Sequence, residues 1–214
     1  MRCLLLLGLF VTATAGAQTP GGSRFGIGGG LTASRSEVSR DGFVQSELAG
    51  TVFGFAGQVA YRRFMIEGTY AEGALSPPGG SVGGQQETFA ELGAFIGANV
   101  GYGFTVGGGP RFRALVAPGS TVRWMRVEAR MRYTREIVPG RAMADVDLWQ
   151  VLSADVNAQG GANGGRGASA GISYQLPNSP FALRAAYTAD RMAFASGTSE
   201  YLDRVELGLR YGRR

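Results

Sequence analysis

The residues in this chain with the means to do chemistry are arginines and carboxylates set on alternate positions. Arg126, Glu128, Arg130 and Arg132 occupy every second place in one run, with Met125, Val127, Ala129 and Met131 between them. Asp145 and Asp147 repeat the spacing, and Glu67, Glu91, Arg111, Arg113, Arg184, Glu206 and Arg210 lie on the polar side of similar alternations. Two chemistries suit such a set. Converging carboxylates could hold calcium or share a proton in acid–base work. The same carboxylates could instead neutralise the arginines inside a polar interior, which must pair its charges or keep them wet. That requirement favours neutralisation.

The side chains that are missing narrow the choice further. There is no histidine, every one of the 21 basic residues is arginine, and the one cysteine is Cys3. Without histidine, the usual general base of hydrolases and acyltransferases is absent. Without lysine there is neither a P-loop cation nor a Schiff-base amine, and a zinc site lacks its ordinary ligands. Gly28-Gly29-Gly30 and Gly107-Gly108-Gly109 do not make a G-x-G-x-x-G motif opening a helix, so they read as small residues in strands or at bends. Gly160 to Gly165 reads as a loop. The chain is therefore expected to have no catalytic residue, no cofactor and no metal. A net charge of +5 without a run of like charges makes nucleic acid a poor partner.

The elements that position these charges follow from the spacing. On a helix, the apolar members of 123–133 would scatter around the circumference; on a strand they share one face. Ten such alternations run along the chain: 25–34, 53–62, 64–70, 88–99, 104–113, 123–133, 142–157, 168–175, 181–188 and 204–211. In the fourth, Phe89 and Phe95 lie opposite Leu92 and Ile96. The seventh reads as one phase, with Leu152 and Val156 apolar and Ser153 and Asp155 polar. Long polar links are expected at 35–50, 73–86, 158–166 and 190–199, and short turns at 61–64, 100–103 and 176–180. The short 117–120 and the longer 135–141 depart from that rhythm.

Residues 1–17 have the charge at Arg2, the short apolar run and the Ala15-Gly16-Ala17 site of a secretory signal peptide, leaving 18–214 as one domain. No later segment reaches the length of a membrane helix. The facing is settled by magnitude. An arginine on the lipid side at the bilayer midplane costs about 2–4 kcal/mol. The charged face therefore turns inward, and Phe53, Phe55, Met125, Val127, Met131, Leu207 and Leu209 turn to lipid. The expected fold is all-β: a single antiparallel up-and-down transmembrane barrel of ten strands, with eight as the alternative. Its lumen should be lined by glycine, alanine and charges with few large apolar groups.

The signal peptide, the hairpin rhythm and the closing Glu206-Leu207-Gly208-Leu209-Arg210-Tyr211 resemble small bacterial outer-membrane β-barrels of the OmpA/OmpX kind. The resemblance implies a Gram-negative outer membrane, with its lipid and lipopolysaccharide as surroundings. It also implies a polar-x-Gly-x-x-aromatic signal read by the outer-membrane assembly machinery, matched here by Glu206, Gly208 and Tyr211. The chain then ends Gly212-Arg213-Arg214, without the family's terminal aromatic. The leading expectation is a non-enzymatic barrel acting structurally or through long extracellular loops with an unidentified partner, its lumen plugged by arginine–carboxylate pairs. One alternative is a narrow, anion-leaning, porin-like pore; the other is a soluble periplasmic barrel for an apolar ligand.

Overall fold

The computed structural model describes residues 25–41, 46–78, 86–157 and 161–212; the expected leader falls outside them. Ten strands account for almost all of this: β1 (Phe25–Asp41), β2 (Ser46–Tyr61), β3 (Phe64–Ser76), β4 (Glu87–Gly101), β5 (Phe104–Ala117), β6 (Ser120–Val138), β7 (Ala142–Val156), β8 (Ala162–Gln175), β9 (Phe181–Phe194) and β10 (Ser199–Tyr211). Each pairs antiparallel with its neighbour in the chain, and β1 also pairs with β10, so the sheet closes into an up-and-down barrel. The count is ten, not eight. The turns 62–63, 102–103, 139–141 and 176–180 lie at the end that holds Phe25 and Tyr211, the turn end, while the equally short 118–119 lies at the other. Three of those at the turn end place a non-glycine residue in left-handed backbone: Arg62 (φ 55°), Asn178 (φ 53°) and Tyr102 (φ 52°), where Gly101 and Gly103 flank the bend.

The strands run further than the alternation suggested. β1 reaches Asp41 and β2 begins at Ser46, inside what reads as the polar link 35–50. Likewise β3 reaches Ser76, β8 begins at Ala162, and only Ala195–Thr198 separate β9 from β10. The cause is an exchange of polarity between the faces. Along β1, Phe25, Leu31 and Ala33 are exposed outward; beyond them the outward places pass to Arg35 and Glu37, while Val38 turns inward at 1% exposure. Along β10, Leu209, Leu207 and Val205 are followed outward by Asp203, and inward Arg210, Glu206 and Arg204 by buried Leu202. The period of two never stops, but the apolar residues change sides.

The barrel therefore has two tiers. Toward the turn end its outer wall is apolar, with Phe53, Phe55, Met125, Val127, Met131, Leu207 and Leu209 all exposed. On β1 this belt runs from Phe25 to Ala33, about 20 Å for strands rising about 3.3 Å per residue at a tilt of about 40°. Rings mark its edges. Phe104 and Tyr133 stack at 4.6 Å and Phe181 and Tyr211 at 5.4 Å at the turn end. At the other edge the Tyr70 hydroxyl donates to Glu72 (2.7 Å) and the Tyr187 hydroxyl to Asp203.

Beyond the belt the wall is polar and the interior becomes a conventional core. Val38, Leu48, Val52, Leu75, Phe89, Leu115 and Leu202 form one cluster, and Trp124, Val151, Val156, Met192 and Phe194 another. The interior is thus richer in large apolar groups than the sequence suggested. A β-bulge opposite Val127 and Glu128 extrudes Leu152 and shifts the phase of β7. As a result Val156 turns inward while Ser153 and Asp155 are exposed, the reverse of a single alternation.

Candidate functional site

Where the two tiers meet, arginine–carboxylate pairs cross the lumen. Asp190 of β9 accepts from Arg113 Nη2 of β5 (2.5 Å), Arg126 Nη1 of β6 (2.7 Å) and Trp149 Nε1 of β7 (3.0 Å). Glu91 of β4 accepts from Arg113 Nη2 (2.8 Å) and Nε (3.0 Å) and from Arg111 (3.3 Å). Arg113 Nη1 also lies 3.5 Å from Glu200 of β10, which accepts from Arg40 Nε at 2.9 Å. Glu128 is 2.7 Å from Arg126 Nε and 3.6 Å from Arg111 Nε, and Arg204 reaches Glu91 at 3.6 Å. Because β5 and β10 lie on opposite sides of a ten-strand ring, these contacts span its diameter. Side chains of Arg113, Arg126, Glu128, Asp190 and Glu200 are at most 2% exposed.

A second group lies nearer the turn end. Arg132 grips Glu67 of β3 with two nitrogens (2.9 and 3.1 Å) and shares Asp147 with Arg130 (3.1 and 2.7 Å). Arg184 joins Asp145 (2.7 Å) to Glu206 (2.9 Å). Arg210 projects from the inward face at the opening, where it remains exposed. These paired distances are those of charge-assisted hydrogen bonds.

Aromatic rings fill the space between the charges. Arg130 lies over Phe95 (5.5 Å) and Trp149 (5.4 Å), and Arg204 over Phe89 (5.3 Å). Such cation–π contacts give both inward phenylalanines a reason to leave the lipid face. Glycines of β8 make room for the large groups. A Cβ on Gly167 would meet the Trp149 ring at 2.3 Å, and one on Gly171 would meet Arg184 Nη2 at 2.8 Å.

All thirteen charged residues read from the sequence as lumenal face inward, so the alternation places them together. It omitted Arg40, Asp190, Arg204 and Glu200 from that set. The first two fell in presumed links and Glu200 between the last link and the last alternation, although Arg184, Ala186, Thr188 and Asp190 continue one step of two. With them included, and apart from Glu87 near the far rim, the charges of this lumenal network are Arg40, Arg111, Arg113, Arg126, Arg130, Arg132, Arg184, Arg204 and Arg210 against Glu67, Glu91, Glu128, Asp145, Asp147, Asp190, Glu200 and Glu206. Nine cations face eight anions. Of the closing motif, Glu206 is engaged by Arg184, Gly208 packs inward beside Thr32, and Tyr211 stands outward. Every carboxylate in the plug is within 4 Å of a guanidinium, and among the described residues no group of three or more possible ligands is placed to hold a metal ion.

Comparison with solved structures finds outer-membrane proteins similar to this chain. The translocator domain of the autotransporter NalP from Neisseria meningitidis matches with a TM-score of 0.49 at 15% identity, over 94% of this chain and 90% of that one. An outer-membrane channel from Pseudomonas putida F1 matches at 0.46 and 10% identity, over 95% and 98%. Ail, the attachment invasion locus protein of Yersinia pestis, matches at 0.35 and 9% identity, over 86% and 97%. No protein-family model matches the sequence, and neither does any curated protein.

Proposed function

We propose that this chain is a non-enzymatic bacterial outer-membrane β-barrel, sealed across its lumen, that acts structurally or by surface contact through the polar tier beyond the lipid belt. The exchange of polarity between the two tiers is the observation that carries this reading. Below the exchange, exposed apolar side chains ring the wall while charges fill the interior, as suits hydrocarbon outside. Beyond it the wall is charged and the interior apolar, as suits water outside. A soluble barrel would have no use for so large an exposed apolar surface. Glu206, Gly208 and Tyr211 then serve as the assembly signal, and lipid and lipopolysaccharide surround the belt.

The pairs across the lumen, with apolar clusters stacked above them, support a plug rather than a pore. The arginine excess that would make a pore anion-leaning is a single charge, seven against six in the residues read from the sequence and nine against eight once Arg40, Arg204, Asp190 and Glu200 join them. Recordings of the purified, heat-modifiable protein in planar bilayers test this. Steady discrete conductance steps with anion selectivity would replace the sealed reading by the pore; insertion without such steps is the expected result.

A further inference from the structure

We infer that Arg166 and Arg191 form a clamp on the outer wall for the phosphate of a phospholipid or glycolipid in the surrounding leaflet. This rests on the membrane-barrel reading above. The two residues are directly opposed on β8 and β9, and both are exposed. Like charges directly across a strand pair repel, and among the described residues neither is within ion-pair distance of a carboxylate. Other exposed arginines, Arg123 and Arg135 among them, also lack such a partner; what sets this pair apart is that the two face each other directly across neighbouring strands. Arg191 is also held in place. Its Nη2 and Nε donate to Ser199 Oγ (3.2 and 3.4 Å), and its guanidinium lies 5.3 Å from the Tyr201 ring centre.

The location fits a lipid. Arg166 and Arg191 stand at the polar edge of the belt, and the next outward pair toward the turn end is Ala168 and Ala189. These four, with Gln150, Tyr201 and Asp203, border a shallow depression in the wall; the Asp203 carboxylate lies at the Ala189 end, where it accepts from the Tyr187 hydroxyl, and leaves the two guanidiniums to face a phosphate. A phosphate between the guanidiniums would relieve their repulsion with charge-assisted hydrogen bonds. Its acyl chains would pass down over the alanines, where no large side chain projects. Fixed position at the hydrocarbon edge selects a headgroup that is tethered to chains over a free anion.

The test is titration of the folded barrel in dodecyl maltoside with dioleoyl phosphatidic acid, read by native mass spectrometry, with dioleoyl phosphatidylcholine as the reference lipid. The native protein should retain one phosphatidic acid in preference to the reference. At about 1 kcal/mol per arginine, each of R166Q and R191Q should weaken binding about fivefold and the double variant about thirtyfold. R123Q, which removes an exposed arginine on β6 away from the pair, should stay within about twofold. Unchanged binding by the double variant would overturn the clamp, and so would an equal loss in R123Q. Displacement of the lipid by inorganic phosphate at the same concentration would overturn it as a lipid site. Both arginines are exposed, so the variants should keep the heat-modifiable gel shift. Loss of clamp binding with the shift intact therefore leaves the barrel reading standing.

Discussion

Asp190→Asn is the sharpest perturbation of the plug. Asp190 is the one carboxylate that joins Arg113, Arg126 and Trp149, from three successive strands, β5, β6 and β7. Asparagine keeps the shape and one acceptor oxygen but removes the charge. Arg126 would then rely on Glu128 alone, and Arg113 on Glu91 and Glu200. Breaking a buried pair by removing one partner costs about 3–5 kcal/mol. The retained oxygen puts the expected loss near the lower figure, about 3 kcal/mol. In urea, at about 2 kcal/mol per molar, the unfolding midpoint should fall by about 1.5 M. Fluorescence of the two tryptophans, Trp124 and Trp149, follows the transition in detergent micelles, with gel migration as the second probe. A midpoint for Asp190→Asn within about 0.3 M of the native value, in a fully folded barrel, would refute the claim that the crossing pairs are coupled.

Two further outcomes test the facing and the height of the belt. Val127→Arg places a cation on the exposed apolar wall at about 2–4 kcal/mol and should block insertion into vesicles. Arg130→Gln, on the inward face, should insert at near-native yield; equal yields for the two would contradict the assignment. In a Cys3→Ser background reconstituted into vesicles, Ala33→Cys should resist a water-soluble maleimide and Glu37→Cys should react. Equal reactivity would show that the belt does not end between them.

The sequence carried the strand period and the inward charges, because alternation is local and arginine has a steep preference against lipid. It lost the strand ends for a physical reason. A scan that expects apolar residues on one side reads Arg35, Glu37 and Arg191 as loop, although each stands on the outer wall of a continuous strand. Polarity there follows the solvent outside, which changes from hydrocarbon to water partway along. The bulge at Leu152 was illegible for another reason: one extra residue reverses every face beyond it, and nothing in Leu152-Ser153-Ala154 announces it. Partners within the plug were also out of reach. Arg113 meets Asp190 across 77 positions, a distance fixed only by closure of the ring.

The use of arginine within the plug follows from the same geometry. Ten strands enclose a lumen wider than one side chain can fill, so its charges must reach across and hold more than one partner. Arg113 does this with a planar fork: Nε and Nη2 on Glu91, Nη2 on Asp190, and Nη1 facing Glu200. A lysine ammonium carries equal charge but sits at a single point, and it cannot lie in those three places at once. Arg113→Lys should therefore destabilise the barrel even though net charge is unchanged. Losing at least one charged hydrogen bond, at about 1.5–3 kcal/mol, should lower the urea midpoint by about 1 M. Arg62→Lys, on an exposed turn, should leave it unmoved. If both variants unfold with the native protein, charge alone suffices in the plug, and the fork has no part in keeping the arginines.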